Sequence, residues 1–185
     1  MEATFQKLLS LASERNLPFL LIGGNAVIVY GHPRNTIDLD LLIPESRRSA
    51  WLDALRDLGY RFYYGTKAFV QLEPGSEEYS PVDLMLVDDR TWTLLNQEPE
   101  RHEILGQLVS LPRPTHLVAL KLHAARSATR RKPETDWEDI RQLVRLQKLD
   151  WNEPEFQALI LRFGGEAALE RIKSFSDEQS TSGNA

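Results

Sequence analysis

The chain has 185 residues, of which 42% are hydrophobic, and this is enough to fill the core of one compact domain, with or without a helical annex. The formal charge of −5 argues against a broad, non-specific nucleic-acid surface, although a local basic patch remains compatible with it. Because cysteine is absent, disulfides and thiolate metal sites are excluded. No basic-then-apolar leader opens the sequence, and its apolar runs are too short to span a bilayer, so we expect a soluble, cytoplasmic protein.

The first 112 residues are predicted to mix helices and strands. A helix over 3–15 precedes a fully apolar strand, and Pro44 ends the strand that contains two aspartates. The elements predicted in chain order are ATFQKLLSLASER (helix), PFLLIGG (strand), NAVIVYGH (helix), TIDLDLLI (strand), ESRRSAWLDALRDLG (helix), YRFYYG, KAFVQLE and VDLMLV (strands), and two short strands within ILGQLVSLPRPT.

From His116 onward the apolar spacing is helical. The predicted helices are HLVALKLHAARSAT, DWEDIRQLVRLQ, EPEFQALILRFG and EAALERIKSF, and the polar tail SDEQSTSGNA is predicted to be disordered. We therefore expect an α/β (α+β) fold, in which a small mixed sheet flanked by helices is followed by a helical C-terminal part. The expected domains are a catalytic core over 1–112, a helical region over 113–175 packed on that core, and a tail over 176–185.

Acidic residues interrupt two of the apolar strands. Asp38 and Asp40 alternate with leucines, and residues at i and i+2 of a strand share a face. Asp83 lies in a later strand with similar apolar neighbours, so three carboxylates converge if these strands pair. Burying such a pair costs several kcal/mol unless its charge is offset, and Mg²⁺ prefers hard oxygen ligands. We predict a site for Mg²⁺, with two ions able to clamp the oxygens of a phosphoryl transfer.

A glycine pair, Gly23-Gly24, separates the first strand from the next helix. Backbone N–H groups at such a junction can receive a triphosphate. Asn25 and His32 are candidate additional contacts, and Arg34 and Thr36 are candidates for holding the acidic strand or a phosphate. The competing interpretation is a simple turn beside a solvated sheet edge. We favour the metal site because the strand, the glycines, the helix and the acidic strands occur together.

This pattern resembles the nucleotidyltransferase superfamily whose catalytic fold is that of DNA polymerase beta. The resemblance implies that Gly23 and Gly24 help to place the incoming nucleoside triphosphate (NTP). It also implies that Asp38 and Asp40 bind both metal ions, and that Asp83 helps to activate the attacking hydroxyl.

The segment LVALKLHAARSATRRKPETDWEDIRQL is similar to one in the abortive-infection (AbiEii-type) toxin nucleotidyltransferases and their uncharacterised relatives. The similarity implies that Lys121 contacts the triphosphate, with Arg126 following it, and that Asp136 and Asp139 orient the lysine or the nucleotide. The family has Lys-Asp in direct succession, whereas here Lys132-Pro-Glu-Thr precedes Asp136. Which of the two aspartates acts therefore stays open.

Each of these C-terminal residues also has a simpler interpretation. Lys121 lies on an apolar helix face, where it either has an anionic partner or snorkels to the surface. Asp136 is alternatively a helix N-cap or a first-turn acid. The basic cluster of Arg126, Arg130, Arg131 and Lys132 either receives a phosphate or is simply solvated.

The leading hypothesis is a Mg²⁺-dependent enzyme that moves a nucleoside monophosphate from an NTP to an acceptor hydroxyl. The resemblance allows tRNA, a small molecule such as an antibiotic, or a protein as the acceptor, and a toxin would have an antitoxin partner. The alternatives are a catalytically idle nucleotide-binding or regulatory protein on the same fold, and a structural protein that uses the aspartates as a cation staple.

Overall fold

The computed structural model describes residues 2–126 and 133–182, with side chains described as far as Phe175. Its helices are α1 (Glu2–Glu14), α2 (Gly23–Val29), α3 (Arg48–Asp57), α4 (Asp89–Leu95), α5 (Pro114–Ala125), α6 (Pro133–Leu146), α7 (Pro154–Phe163) and α8 (Glu166–Ser182). Its strands are β1 (Leu20–Leu21), β2 (Leu39–Pro44), β3 (Arg61–Gly65), β4 (Phe69–Glu73), β5 (Val82–Val87), β6 (Glu100–Ile104) and β7 (Gln107–Leu111). The expected mixed α/β fold is therefore present. Within the described ranges, no helix has both the length and the apolar character needed to cross a membrane.

The chain forms two compact units. The first comprises Met1–Val29 and Arg34–Pro112, and the second comprises Tyr30–Pro33 and Arg113–Ala185. The first unit contains both sheets, whereas the second contains helices α5 to α8.

The sheet of the first unit has the strand order β1-β2-β5-β4-β3. Strands β2 and β5 are parallel, and the other neighbouring pairs are antiparallel. The three carboxylates were predicted to converge if the two aspartate-carrying strands pair, and these strands, β2 and β5, do pair. Strands β6 and β7 form a separate hairpin.

The two faces of this sheet differ in burial. On β4 and β5 one face consists of fully buried aliphatic residues, namely Val70, Leu72, Val82, Leu84 and Leu86. The alternate positions on the other face are more open, because Phe69, Gln71 and Met85 are only half-buried. The apolar face contributes to the core of the unit, and the open face carries the polar side chains.

Several elements differ from the predicted ones. Strand β2 begins at Leu39, so Asp38 precedes it in a bend, and β1 contains only Leu20–Leu21. Helix α4 was not predicted. It begins because the Asp88 carboxylate accepts a hydrogen bond of 2.7 Å from the backbone N–H of Thr91, and this bond lowers the pKa of Asp88.

In the second unit, α5 packs against α6 and α7. Helices α5, α6 and α7 each begin at a proline, whose missing N–H costs nothing in a first turn. Helix α8 continues to Ser182, into the segment for which the sequence predicts a disordered tail. The residues after 175 include Asp-Glu-Gln, and glutamate and glutamine favour helix continuation. Residues 183–185 lie outside the described residues.

His116, in the first turn of α5, is a buried titratable group of the second unit. Its side chain is 3% exposed, and its Nδ1 has no hydrogen-bond partner among the residues that the structure describes. Burial lowers the pKa of His116, and the nearby Arg113 lowers it further, while Glu155 opposes them. The imidazole is consequently neutral in the folded protein near pH 7.

We expect His116 to make the protein sensitive to mild acid. In the unfolded chain it titrates near pH 6.5, whereas in the folded chain it resists protonation, so stability is intact above pH 6.5 and is lost below it, down to the folded pKa. Each pH unit in that window removes at most about 1.4 kcal/mol. Urea unfolding at pH 7.5 and 5.5 measures the effect, which His116→Leu should reduce. His123→Gln, which removes an exposed imidazole from the same helix, is the control and should behave as the wild type.

Candidate functional site

Three carboxylates of the first unit gather at one end of the central strand pair. In the parallel pairing of β2 with β5, Asp40 lies directly opposite Asp83. One carboxylate oxygen from each of Asp38, Asp40 and Asp83 lies within 4.8 Å of the other two. Such a set of hard oxygen ligands fits a divalent cation such as Mg²⁺, because three like charges this close repel each other unless a cation offsets them.

Asp38 reaches this cluster from a bend and not, as predicted, from the strand itself. The Thr36 hydroxyl donates a hydrogen bond of 2.9 Å to Asp38 Oδ1, and Asn25 Nδ2 donates one of 2.9 Å to the backbone carbonyl of Asp38. The first bond fixes the carboxylate, and the second ties the bend to helix α2. Thr36 and Asn25 therefore act as supports of Asp38.

The burial of the three aspartates differs from the expected buried pair. Asp38 and Asp40 are half-buried, and Asp83 is the buried one, with 8% of its surface exposed. Asp83 has a directly paired residue on both neighbouring strands, Asp40 on β2 and Gln71 on β4, whereas the pairing of β1 with β2 covers only Leu41 and Leu42. The desolvation cost that the sequence analysis assigned to the first pair therefore falls mainly on Asp83.

The glycine pair is required by close packing against the acidic segment. Gly23 has φ +65°, and a Cβ atom there would lie 1.8 Å from Asp40 Oδ2. A Cβ atom on Gly24 would lie 2.8 Å from the Thr36 hydroxyl oxygen. Both positions thus exclude any larger residue, and the start of α2 lies directly against the Asp40 carboxylate and Thr36.

The two remaining predicted contact residues, Arg34 and His32, belong to different units. Arg34 is half-buried, its Nε donates to the carbonyl of Asn35 at 3.3 Å, and its Cζ would lie 3.3 Å from a Cβ on Gly24. This places a guanidinium cation beside the glycine pair. His32 belongs to the second unit.

Gln71 is a site residue that the sequence analysis missed. It lies opposite Asp83 in the pairing of β4 with β5, and its Nε2 lies 3.2 Å from Asp83 Oδ2 and 3.4 Å from Oδ1. The available signal was the alternation in FVQLE, which sets Gln71 on the face opposite Val70 and Leu72. The strand register, which the sequence does not reveal, is what joins it to Asp83.

The second unit contains a separate buried ionic cluster. Lys121 Nζ lies 2.6 Å from Asp139 Oδ2 and 3.6 Å from Asp136 Oδ1. Lys121 is 6% exposed and each aspartate 1%, so the lysine does not snorkel to the surface. Asp136 is in the first turn of α6, but its carboxylate points at Lys121 and not at solvent. Asp139 makes the shorter contact of the two.

The predicted basic cluster is described only in part. Arg126 is exposed at the end of α5, and its Nη1 donates a hydrogen bond of 3.3 Å to the carbonyl of Phe163, the last residue of α7. In this position it caps a helix C-terminus. Arg130, Arg131 and Lys132 lie outside the described residues.

Solved structures share this fold, although no protein-family model and no curated protein matches the sequence. The solution structure of the antibiotic-resistance factor ANT(2'')-Ia is 20% identical, with 97% of this chain and 96% of that chain covered and a TM-score of 0.63. The crystal structure of ANT(2'')-Ia with adenylyl-2''-tobramycin is 22% identical, with 86% of this chain and 94% of that chain covered and a TM-score of 0.61. The lincomycin-bound lincosamide antibiotic adenylyltransferase LnuA is 18% identical, with 79% of this chain and 98% of that chain covered and a TM-score of 0.57. At these identities the likeness establishes the fold, which is that of the nucleotidyltransferases.

We expect Gly23→Ala to disrupt the carboxylate cluster. Alanine at φ +65° costs roughly 1–2 kcal/mol, and its methyl group also displaces the Asp40 carboxylate. Gly59→Ala is the matched control, because Gly59 has φ +87° and nothing within 4 Å of an added Cβ. Both variants carry the backbone cost of a positive φ, and Gly23→Ala should lose more stability in urea unfolding because only its methyl group displaces a side chain. Only Gly23→Ala should weaken Mn²⁺ binding in calorimetry, by roughly tenfold or more, and equal Mn²⁺ affinities would contradict the packing argument.

We expect the ionic cluster of Lys121, Asp136 and Asp139 to contribute more to the free energy of unfolding than a surface ion pair does. Lys121→Met removes the ammonium from two buried carboxylates and should cost about 3–5 kcal/mol of unfolding free energy. Lys173→Met is the control, since Lys173 makes an equally short contact of 2.6 Å to Glu170 at the surface and should cost about 1 kcal/mol or less. Adding Asp139→Asn to Lys121→Met should recover part of the loss. Equal costs for the two lysine variants would contradict a structural role for the cluster.

Proposed function

We propose that this protein is a Mg²⁺-dependent nucleotidyltransferase that moves a nucleoside monophosphate from an NTP to an acceptor hydroxyl and releases pyrophosphate. The observation that carries the proposal is the gathering of Asp38, Asp40 and Asp83 within 4.8 Å, directly against the glycine pair, in a nucleotidyltransferase fold.

Asp38, Asp40 and Asp83 are the residues that would hold the metal, and two ions are proposed. When bound, Mg²⁺ neutralises the triphosphate and the charge that develops on the entering and leaving oxygens. The protein holds this ligand set in place through Thr36 and Asn25, which fix Asp38, and through Gln71, which contacts Asp83.

In the chemical step the acceptor oxygen forms a bond to the α-phosphorus as the bond from that phosphorus to the β-bridging oxygen breaks. The hydroxyl proton goes to the Asp83 carboxylate, and pyrophosphate leaves. Asp83 is suited to this role because it is 8% exposed and oriented by the Gln71 amide, so few waters compete for its oxygens.

The nucleotide is proposed to lie on the α2 side of the carboxylates. Gly23 and Gly24 keep the role in placing its phosphates that the family resemblance implies, and the guanidinium of Arg34 adds a positive charge close to Gly24. Lys121, Arg126, Asp136 and Asp139 keep their proposed nucleotide-binding roles on the strength of the family resemblance.

Of the three acceptor classes, tRNA, a small molecule and a protein, two have a specific observation in their favour. ANT(2'')-Ia carries adenylyl-tobramycin, and LnuA carries lincomycin, and both structures match most of their own length to this chain, which supports a small-molecule acceptor. A toxin that modifies tRNA and is held by an antitoxin rests on the resemblance of the C-terminal segment to the abortive-infection toxins.

The transfer assay combines the protein with each α-³²P-labelled NTP and Mg²⁺, with tobramycin, lincomycin or total tRNA as acceptors in separate reactions. We expect transfer by the wild type, and a loss of about 10²–10⁴-fold in kcat for Asp83→Asn. Asp40→Asn and removal of Mg²⁺ with EDTA should also abolish transfer.

Asp53→Asn, which neutralises an exposed carboxylate on α3, should transfer as the wild type does. Mg²⁺-dependent NTP binding without transfer to any acceptor would favour the idle nucleotide-binding alternative. Absence of NTP binding would refute the proposed function.

A further inference from the structure

Four residues form a row across the open face of the sheet. Asp40 is paired with Asp83, Asp83 with Gln71, and Gln71 with Tyr64 on the edge strand β3. Directly paired residues of neighbouring strands point to the same face, and neighbouring strands lie about 4.8 Å apart. Tyr64 is therefore two strands, or about 10 Å, from Asp83 on the face that carries the carboxylates.

This side of the row is open and partly apolar. Tyr64 is 53% exposed, and the adjacent pair on the same face, Phe69 opposite Met85, is half-buried. An aromatic and apolar surface thus extends from Asp83 toward the sheet edge, whereas the other face of β4 and β5 is buried.

The glycine pair lies on the opposite side of the carboxylates. Gly23, the first residue of α2, contacts Asp40 on β2. In the sheet, β2 has β1 on one side and β5, which carries Asp83, on the other. If the nucleotide occupies that side, as the proposed function requires, then the surface on β4 and β3 is the one left for the acceptor.

The charges of this surface indicate what kind of acceptor it receives. On that face of β4 and β5 the charged side chains are the carboxylates Asp83 and Glu73, and Glu73 is opposite Arg61, whose charge balances it. A surface with no excess positive charge suits a neutral or cationic ligand better than the phosphates of a nucleic acid. Tyrosine stacks well on the apolar face of a ring.

We propose that Tyr64 and Gln71 form the acceptor side of the active site, which receives a small, neutral or cationic hydroxylated ring compound. Tyr64 contacts the ring of the acceptor. Gln71 is a positioning residue that acts through Asp83, because its amide holds the carboxylate that takes the hydroxyl proton. This inference rests on the proposed function and adds to it the acceptor class and two residues.

The test measures steady-state kinetics of the full chain with tobramycin or lincomycin, whichever takes label in the transfer assay. Tyr64→Ala should raise the acceptor KM about tenfold with little change in kcat and none in the KM of the NTP, and Tyr64→Phe should restore it. Gln71→Leu should lower kcat by roughly tenfold to a hundredfold with the acceptor KM unchanged. Urea unfolding of each variant should match the wild type.

Phe62→Ala is the matched control. Phe62 is 61% exposed on the same strand, but it is opposite Leu72, which faces the buried side. It should leave both constants as in the wild type. If Tyr64→Ala and Gln71→Leu behave like Phe62→Ala while transfer continues, the assignment of the two residues is wrong.

The acceptor class has its own outcomes. Transfer to tRNA and to neither antibiotic would overturn the class and leave the proposed function standing. Absence of transfer to every acceptor, with or without Mg²⁺-dependent NTP binding, is instead the failure of the proposed function, so the two failures are distinguishable.

Discussion

The approach of the Asp40 carboxylate to the backbone of Gly23 is the constraint on which the site depends. An atom at the Cβ position of Gly23 would overlap Asp40 Oδ2, so the helix that follows the first strand must begin with a residue that has no side chain. Because α2 begins there, Asn25 reaches the carbonyl of Asp38 and holds the acidic bend. The absence of a Cβ atom at Gly23 therefore allows the start of α2 to lie directly against the carboxylates.

The first unit gathers three carboxylates, whereas the second places a buried lysine beside two. Asp38, Asp40 and Asp83 each bring one carboxylate oxygen within 4.8 Å of the other two, with Thr36 donating to Asp38 and Gln71 to Asp83. Lys121, by contrast, has two carboxylates within 3.6 Å. A lysine held between two buried carboxylates stabilises helix packing, and three neighbouring carboxylates offer the hard oxygen ligands that a divalent cation binds.

The sequence predicted the features that depend on local pattern. The alternation around Asp40 and Asp83 indicated two strands with carboxylates on one face, and the structure pairs those strands. It did not predict features that depend on register or on single hydrogen bonds. The contact of Gln71 with Asp83 follows from strand pairing, and the bend at Asp38 is associated with the Thr36 hydroxyl bond. For Lys121, the sequence indicated Asp136 and Asp139 as the two candidate partners. Only the packing of α5 on α6 shows that Asp139 makes the shorter contact.

The irregular register of β3 has a consequence for solubility. Strand β3 is a sheet edge with three adjacent exposed aromatic residues, Phe62, Tyr63 and Tyr64, a composition that invites pairing with the edge of another chain and growth into fibrils. The pairing of β3 with β4 shifts between Phe62 and Tyr64, so the strand bulges. A bulge breaks the even spacing of amide and carbonyl groups that an incoming strand must match. The edge can therefore stay open to a small ligand while resisting aggregation.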